Sequence, residues 1–536
     1  MTAAADFLPP MKWKAWGDPA AATPLSDSIR NLLEQVIGLP ESAATELESG
    51  QVTLRASALS ESARARLAEI VGTTYVRTSD PDRLLHAGGK STLDLLRRKD
   101  IGTQDAPDAV VLPGSDGEIA DILRYCSQEG IAVVPFGGGT SVVGGVNPAR
   151  GRFGAVIALD LRRFDQLISL DAVSGLAELG AGVTGPEAER MLGEHGFSLG
   201  HFPQSFEFAT IGGFAATRSS GQNSAGYGRF DDMVHGLRVI TPVGALDVGR
   251  VAASAAGPDL RQLMVGSEGI FGIITRVCVR VHQVPATVRH EAWSFPDFTT
   301  AAIALRAVAQ TQTGPTVIRL SDEVETGINL ATTESIGAEK ITAGCLGITV
   351  FEGSENHVAS RQAETSAVLS AHGGHSLGAG PAQAWERGRF QAPYLRDSLL
   401  AAGALCETLE TAADWSRIDT LKSAVTEALI GSLAESGTPA LVMCHISHLY
   451  NTGASLYFTV VAGQRGNPVE QWQRAKKAAG DAIIAAGGTI THHHAVGADH
   501  RAWMSDEIGD LGVQILRAVK ATLDPAGILN PGKLIP

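Results

Sequence analysis

Three segments rich in glycine, alanine, serine and threonine limit what this chain can fold into more than any other feature. They read VVPFGGGTSVVGG (133–145), PQSFEFATIGGFAATRSSGQNSAGYGRFDDMV (203–234) and GSEGIFGIITRV (266–277). Each leads into or out of a strand-like run. In the first, a strand enters Gly137, Gly138 and Gly139 and then Thr140 and Ser141. That offers backbone N–H groups and hydroxyls without side-chain bulk, a nest suited to a pyrophosphate. It is not a GxGxxG fingerprint, because Val142 stands at the last glycine's place, and no lysine completes a P-loop. One such turn alone is often just a turn. Three of them, about 60 residues apart, exceed what chain reversal requires. The chain carries 61 glycines in 536 residues, which suits many tight turns and close backbone–ligand approaches.

The length allows two to four domains at about 150 residues each. Residues 1–100 read as a mostly helical lead-in, with helical apolar spacing in DSIRNLLEQVIGL. Residues 101–283 alternate short strands with glycine turns. Within them Ser115 and Glu118 predict a capping box, Ile119, Ile122, Leu123 and Cys126 a buried helix face, and Gly130 its end. Residues 284–519 carry longer strands, such as KITAGCLGITVFEG and ASLYFTVVAG, between helices, and residues 520–536 are turn signals after a helix. The class this predicts is α+β.

A net charge of −14 excludes a broad nucleic-acid-binding face, although it leaves room for a local basic pocket. Five dispersed cysteines without a CxxC pair fit buried free thiols in a reducing cytoplasm. The start, MTAAADFLPPMKWKAWGDP, lacks a basic and then apolar leader. The uncharged run 441–463 is long enough to span a bilayer, but it holds two histidines and alternates in its second half, so it predicts buried sheet. A soluble cytoplasmic protein is expected.

THHHAVG (491–497) places three imidazoles in sequence. Adjacent side chains diverge on a helix or strand, so a loop must aim them, toward a metal, a proton or solvent. Three titratable rings rarely serve packing alone. Without other context Tyr457 on its alternating strand would be core, Arg396 beside Asp397 a helix-start ion pair, and CETLETAADWSR a loop ending in a helix cap.

Taken together, the three small-residue segments resemble the flavin-binding domain of the vanillyl-alcohol oxidase/p-cresol methylhydroxylase superfamily. The resemblance implies a two-subdomain FAD-binding domain of the p-cresol methylhydroxylase (PCMH) type and an α+β cap built on an antiparallel sheet. It also implies FAD contacts from Pro135, Phe136, Gly137, Gly138, Gly139, Thr140 and Ser141 in the first segment. From the second it implies Gln204, Ser205, Phe206, Glu207, Phe208, Ala209 and Thr210, then Thr217, Arg218, Ser219 and Ser220. From the third it implies Glu268, Gly269, Ile270, Phe271, Gly272, Ile273 and Ile274. Some relatives attach FAD through a histidine in the first loop. Thr140 stands there in this chain, which implies non-covalent FAD.

Superfamily dehydrogenases of D-2-hydroxy acids carry a metal-binding HxGDGNxH and a downstream EHGIG. Here the first region reads CHISHLYNTGASLYF, with Tyr457 at the second histidine's place, and the second has His493 in place of the glutamate. With the carboxylate gone no metal is expected, although His448, His493 and His494 could ligate by another geometry.

The second half is similar to the alkyldihydroxyacetonephosphate synthase (alkylglycerone-phosphate synthase) family through VIRLSDE, YLRDSLL, CETLETAADWSR, TGASLYFTVV, GGTITHHHAVG and LDPAGIL, all in one order. With the glycine segments this covers most of the chain from residue 80 onward. The family chemistry exchanges the acyl group of acyl-dihydroxyacetone phosphate for a fatty alcohol without net redox, through a flavin N5 adduct, in ether lipid synthesis. The resemblance implies Arg396 for substrate phosphate, where a fork-shaped guanidinium suits the oxygens. It implies Tyr457 as proton donor and acceptor, with Arg319, His492, His493 and His494 needed for activity. It also allows peripheral membrane contact and a homodimer. Two rival readings stand beside it: an FAD-dependent oxidoreductase of a 2-hydroxy acid or other alcohol, and a flavin-binding scaffold without turnover.

Overall fold

The computed structural model describes residues 11–21, 25, 27–39, 51–99, 102–332 and 344–536. The first ten residues, read above for a leader, and residues 340–343 of the KITAGCLGITVFEG run lie outside the described residues.

Two larger sheets organise the first half, beside two short two-stranded pairings. Strands Ile131–Phe136, Ala155–Asp160 and Ala109–Val111 pair in parallel, and Val76–Arg77 adds antiparallel to the last. Ala155–Asp160 is buried at every position, which is why AVIALD reads as a continuous apolar run and not an alternating one. Helix Asp116–Glu129 covers this sheet. Ser115 caps it by accepting from the Glu118 N–H, and Gly130 closes it in a left-handed conformation at φ 66°. The expected capping box is only half formed, because the Glu118 carboxylate reaches Gly114 N instead, at 2.6 Å. The second sheet is antiparallel, in the order Gly244–Val248, Val234–Thr241, Ile273–Arg280, Leu176–Gly180, Leu167–Asp171. Both sheets share one core, to which Ile119, Ile157, Leu179, Phe214 and Val277 belong.

The second half is a seven-stranded antiparallel sheet. Its order is His375–Gly378, Thr287–Phe295, Cys345–Gly353, Val317–Ser321, Ala440–Ile446, Gly453–Gly463, Ala404–Asp414. The uncharged run 441–463 is thus two neighbouring strands of this sheet, and among the described residues no helix is long and apolar enough to cross a membrane. CETLETAADWSR, read above as a loop, is the edge strand Ala404–Asp414. Its position beside Gly453–Gly463 over eleven residues supplies the pairing that local sequence does not encode. Helices Phe298–Thr311, Ile418–Glu435 and Pro468–Ala485 pack on one face through Leu305, Leu421, Val425 and Trp472.

The ends of the chain knit the halves together. Among the first hundred residues, Leu67 and Val71 of helix Glu61–Val71 and Val76 join the first core, so this stretch is more than a helical lead-in. At the other end, Asn530 N donates to Val133 O at 2.8 Å and Val133 N to Ile528 O at 2.9 Å, extending the parallel sheet by one short pairing.

Candidate active site

The glycine segments meet where the sequence reading expected a cofactor. A Cβ on Gly138 would lie 1.9 Å from the Phe208 carbonyl oxygen, and one on Gly137 would lie 2.4 Å from Thr210 Oγ1. The first loop and the second segment therefore approach at a distance only glycine permits. Asn530 ties in the third segment, donating to Gly145 O at 3.0 Å and to Glu268 O at 2.7 Å. Around these loops Ser220 Oγ, His201 Nδ1, Gln222 Oε1 and Asn530 Oδ1 are buried without a partner among the described residues. Orphaned polar atoms lining close-set glycine loops are what a polar cofactor such as FAD requires.

Some of the expected contacts are otherwise engaged. The Arg218 guanidinium is 2.8 Å from Asp231 and donates to Gln262 O at 2.7 Å. Phe271 and Ile273 lie in the first core. Gln204 donates to Arg389 O at 2.9 Å, Phe206 stacks on Phe390 with centroids 5.4 Å apart, and Phe208 packs edge-on to Trp16. The second segment thus forms part of the seam with the cap.

The cap contributes one face of its sheet. Ser321 pairs with His445, His445 with Tyr457 and Tyr457 with Glu410, across adjacent strands. Side chains alternate along a strand, so Arg319, two residues before Ser321, shares their face. The other face carries Leu320, Ile446, Phe458 and Leu409, buried under the helices. The Tyr457 ring is stacked between His445, with centroids 4.7 Å apart at 17°, and His493, 6.0 Å apart at 18°. His494 meets it edge-on at 5.6 Å. Behind His445, Nδ1 lies 2.9 Å from Arg319 Nη2 and 3.0 Å from Glu325 Oε2, and Arg319 also pairs with Glu325. Nδ1 can accept from Arg319 or donate to Glu325, but not both, so the two contacts belong to different tautomers of the neutral ring, the second also to its protonated form.

Two buried carboxylates hold the histidine loop. Glu410 accepts from Thr491 Oγ1 (2.6 Å) and from the backbone N–H groups of His492 (2.5 Å), His493 (3.1 Å) and His494 (2.8 Å). Glu268 takes the next ones, Val496 N at 2.9 Å and Gly497 N at 2.7 Å. A Cβ on Gly497 would lie 2.1 Å from Val143 O, and Ala498 N donates to that carbonyl at 3.0 Å. The loop is therefore seated directly on the first glycine segment. His492 Nε2 is 2.6 Å from the Tyr450 hydroxyl, and its Nδ1 is 3.0 Å from His493 Nδ1.

Burial sets the protonation states. It pushes the Tyr457 phenol up to about 12, and lowers His494 to about 3 and His445 to about 4. His492 falls well below its ordinary value and His493 falls too, again mainly through burial. At neutral pH the phenol is protonated and these rings are neutral. Burial opposes ionisation of Glu410, yet the charge that His493, His494 and His492 take on in acid, together with the Thr491 hydroxyl, holds it well below the usual carboxylate range. Glu268, with burial dominating, rises to about 7.

His448, His492 and His493 offer ring nitrogens within 4.8 Å of one another. This is a different set from the His448, His493 and His494 anticipated from sequence. Arg396 stands apart from the histidines: its guanidinium is held by Asp397 at 3.1 Å and by the Lys90 carbonyl at 2.7 Å. Its positive field nevertheless acts on Tyr457.

The sequence reading missed His445, Glu325, Glu410 and Tyr450. His445 and Tyr450 were visible in CHISHLYN and Glu410 lay within CETLETAADWSR, but nothing local singled out Glu410 or Glu325. Glu410 becomes part of the site only through strand register, and Glu325 only through the packing of helix Glu323–Thr332.

A glycine-cradled dinucleotide site beside a cap sheet with an inward polar face defines a two-domain FAD-dependent enzyme. The domain families agree: "FAD binding domain" matches residues 107–248 and "FAD linked oxidases, C-terminal domain" matches residues 284–534. FAD is the cofactor. The alkyldihydroxyacetonephosphate synthase of Dictyostelium discoideum is 35% identical over 474 residues, spanning 85% of this chain and 77% of that protein. A solved alkyldihydroxyacetonephosphate synthase superposes with a TM-score of 0.82 at 29% identity, covering 97% of this chain and 98% of the other. Substrate-bound p-cresol methylhydroxylase shares the fold, with a TM-score of 0.68 at 14% identity over 93% of this chain and 98% of that one. The chain belongs to the alkyldihydroxyacetonephosphate synthase family.

Proposed function

We propose that this enzyme exchanges the acyl group of acyl-dihydroxyacetone phosphate for a fatty alcohol, forming an ether lipid precursor without net redox. The observation that carries the reading is the Tyr457 phenol clamped between His445 and His493 beside the flavin loops. FAD, held non-covalently, supplies the nucleophilic chemistry of its ring. The chain's own residues handle protons and charge. The protonated Tyr457 hydroxyl donates toward the departing carboxylate. A neutral imidazole of His493 or His494 accepts the proton removed at C1, since each has an open lone pair at neutral pH. Arg396 draws the phosphate to one end of this face, and Arg319 fixes His445 behind the tyrosine. The loop 491–497 excludes water because both of its anchoring carboxylates are internal.

A fatty alcohol partitions into bilayers, which supports work at a membrane surface; a cytoplasmic location and a homodimer complete the proposal. Beyond the kink at Gly509 in helix Met504–Leu523, Leu511 and Ile515 are exposed one turn apart and suit shallow contact with lipid. Flotation with neutral liposomes tests the contact: protein left entirely at the bottom of the gradient rejects it. Light scattering tests the dimer.

The decisive experiment mixes holoenzyme anaerobically with acyl-dihydroxyacetone phosphate and a long-chain alcohol and follows products and flavin spectrum together. Ether and free fatty acid, with the flavin returning to its oxidised form without an acceptor, support the reading. If no ether forms while hydroxy acids bleach the flavin and reduce a dye, the enzyme is a dehydrogenase.

A further inference from the structure

Lys90, Arg98 and Arg396 are three buried cations, at 4%, 5% and 9% exposure. They meet beneath a strap formed by residues 11–18. The Lys90 ammonium donates to the carbonyls of Lys12 and Trp13, and Arg98 donates to the Trp13 carbonyl. Trp16 N donates to Asp397, the carboxylate that holds Arg396. The strap is pinned further by the Trp16 side chain, buried against Phe208 and Tyr394. It therefore touches the second small-residue segment, through Phe208, and helix Ala392–Ala401, which carries Tyr394 and Arg396, at once.

Charge in this cluster is incompletely matched. Among the described residues neither Lys90 nor Arg98 forms an ion pair within 4 Å. Asp397 and Asp94 act on Lys90 through their fields and Asp94 acts on Arg98, but the Asp94 oxygens accept from Ser91 and Asn147, and Asp397 is already engaged by Arg396 and Trp16 N. A carbonyl oxygen carries only a partial charge, so two full positive charges are buried against partial neutralisation. Burial, with Arg98 and Arg396 acting in the same direction, holds the Lys90 pKa well below its ordinary value. A dianion would reverse that penalty by binding all three cations. The position is suitable: Lys90 N donates to Ser141 O at 2.6 Å, and Arg396 lies beside Cys406, on the strand that carries Glu410. The cluster thus sits between the first flavin loop and the face bearing Tyr457.

We propose that Lys90 and Arg98 join Arg396 in a pocket for the phosphate monoester of the three-carbon substrate, and that the dianion displaces the strap carbonyls of Lys12 and Trp13. This rests on the functional reading above. A phosphate could equally belong to FAD, and the experiment separates the two sources. Holoenzyme is titrated calorimetrically with dihydroxyacetone phosphate, dihydroxyacetone and inorganic phosphate, while hydrogen exchange is followed in residues 11–18. The expected result is binding of dihydroxyacetone phosphate at least a hundredfold tighter than dihydroxyacetone, with faster exchange in the strap. Lys90→Met and Arg98→Met should each weaken it at least tenfold at unchanged flavin content, and Lys90→Arg should restore most of the affinity.

Binding within twofold of wild type in both Met variants, or a strap unmoved by saturating ligand in the wild type, overturns the proposal. So does loss of flavin from a folded Lys90→Met protein, which would assign the cation to the cofactor. Should a variant fail to fold, strap exchange in the wild type and the Lys90→Arg variant still decide. Wild-type protein that binds the phosphorylated ketone through these residues but makes no ether would sink the functional reading and leave this one. Ether formation indifferent to Lys90 would do the opposite.

Discussion

Replacing Glu410 by glutamine should release the histidine loop. The carboxylate accepts from the Thr491 hydroxyl and from three consecutive backbone N–H groups. Three of the four donors share Oε1 and His492 N alone meets Oε2, so a glutamine carbonyl at the Oε1 position keeps three of them while its amide group faces His492 N. One buried donor then loses its acceptor, at about 1–3 kcal/mol. The loss is local, so global unfolding is the wrong readout for a chain of several cores. Hydrogen exchange of the His492, His493 and His494 amides reports it directly, and should accelerate by about 5- to 150-fold for that range of energies. Misplacing the rings by about an ångström should also lower turnover by about a hundredfold. The sign with pH follows from the same charge. The folded pKa of Glu410 lies below its ordinary 4.5, so its stabilisation is fully present above that pH and disappears as the pH falls toward the depressed value. The glutamine variant should lose this acid dependence of loop protection. Wild-type exchange at these three amides in Glu410→Gln, with ether formation within threefold of wild type, would refute the reasoning.

Three further outcomes are expected. Tyr457→Phe keeps the ring between His445 and His493 and should retain flavin and fold, with stability changed by about 1 kcal/mol, while ether formation falls by about 10²–10⁴-fold. An unchanged rate would remove the phenol from the chemistry. Gly138→Ala forces a methyl group against the Phe208 backbone. It should cost about 1–3 kcal/mol and show as tenfold or greater weakening of FAD retention on dilution, whereas full retention would mean the loops separate freely. Finally, burial lowers His445 and His500 to about 4 each, below their unfolded values. Their stabilisation is present above pH 6.5 and is lost as the pH falls toward 4, at about 1.4 kcal/mol per unit for each ring. Denaturant titrations at pH 7 and pH 5 measure this, and equal stability at both would contradict neutral buried rings.

The sequence alone determined what local composition can encode. The glycine segments announced close backbone approach, because a Cβ at Gly137 or Gly138 has nowhere to go. Ser115 and Gly130 marked the two ends of a helix, and the alternation around Tyr457 marked a strand with one polar face. The three histidines in THHHAVG could be read as a functional loop, since no regular element aims consecutive rings at one point.

Tertiary structure alone decided which residues complete that loop. Glu410 lies some 80 positions away in sequence, and reaches the histidines because its edge strand pairs in register with the strand of Tyr457. Arg319 and His445 come together through the pairing of strands Val317–Ser321 and Ala440–Ile446, Glu325 reaches them from helix Glu323–Thr332, and Lys90 reaches Arg396 across a separation of 306 residues. Strand register and chain closure are non-local. An isolated glutamate in LETAAD therefore carries the same local signal whether it faces solvent or anchors three backbone amides.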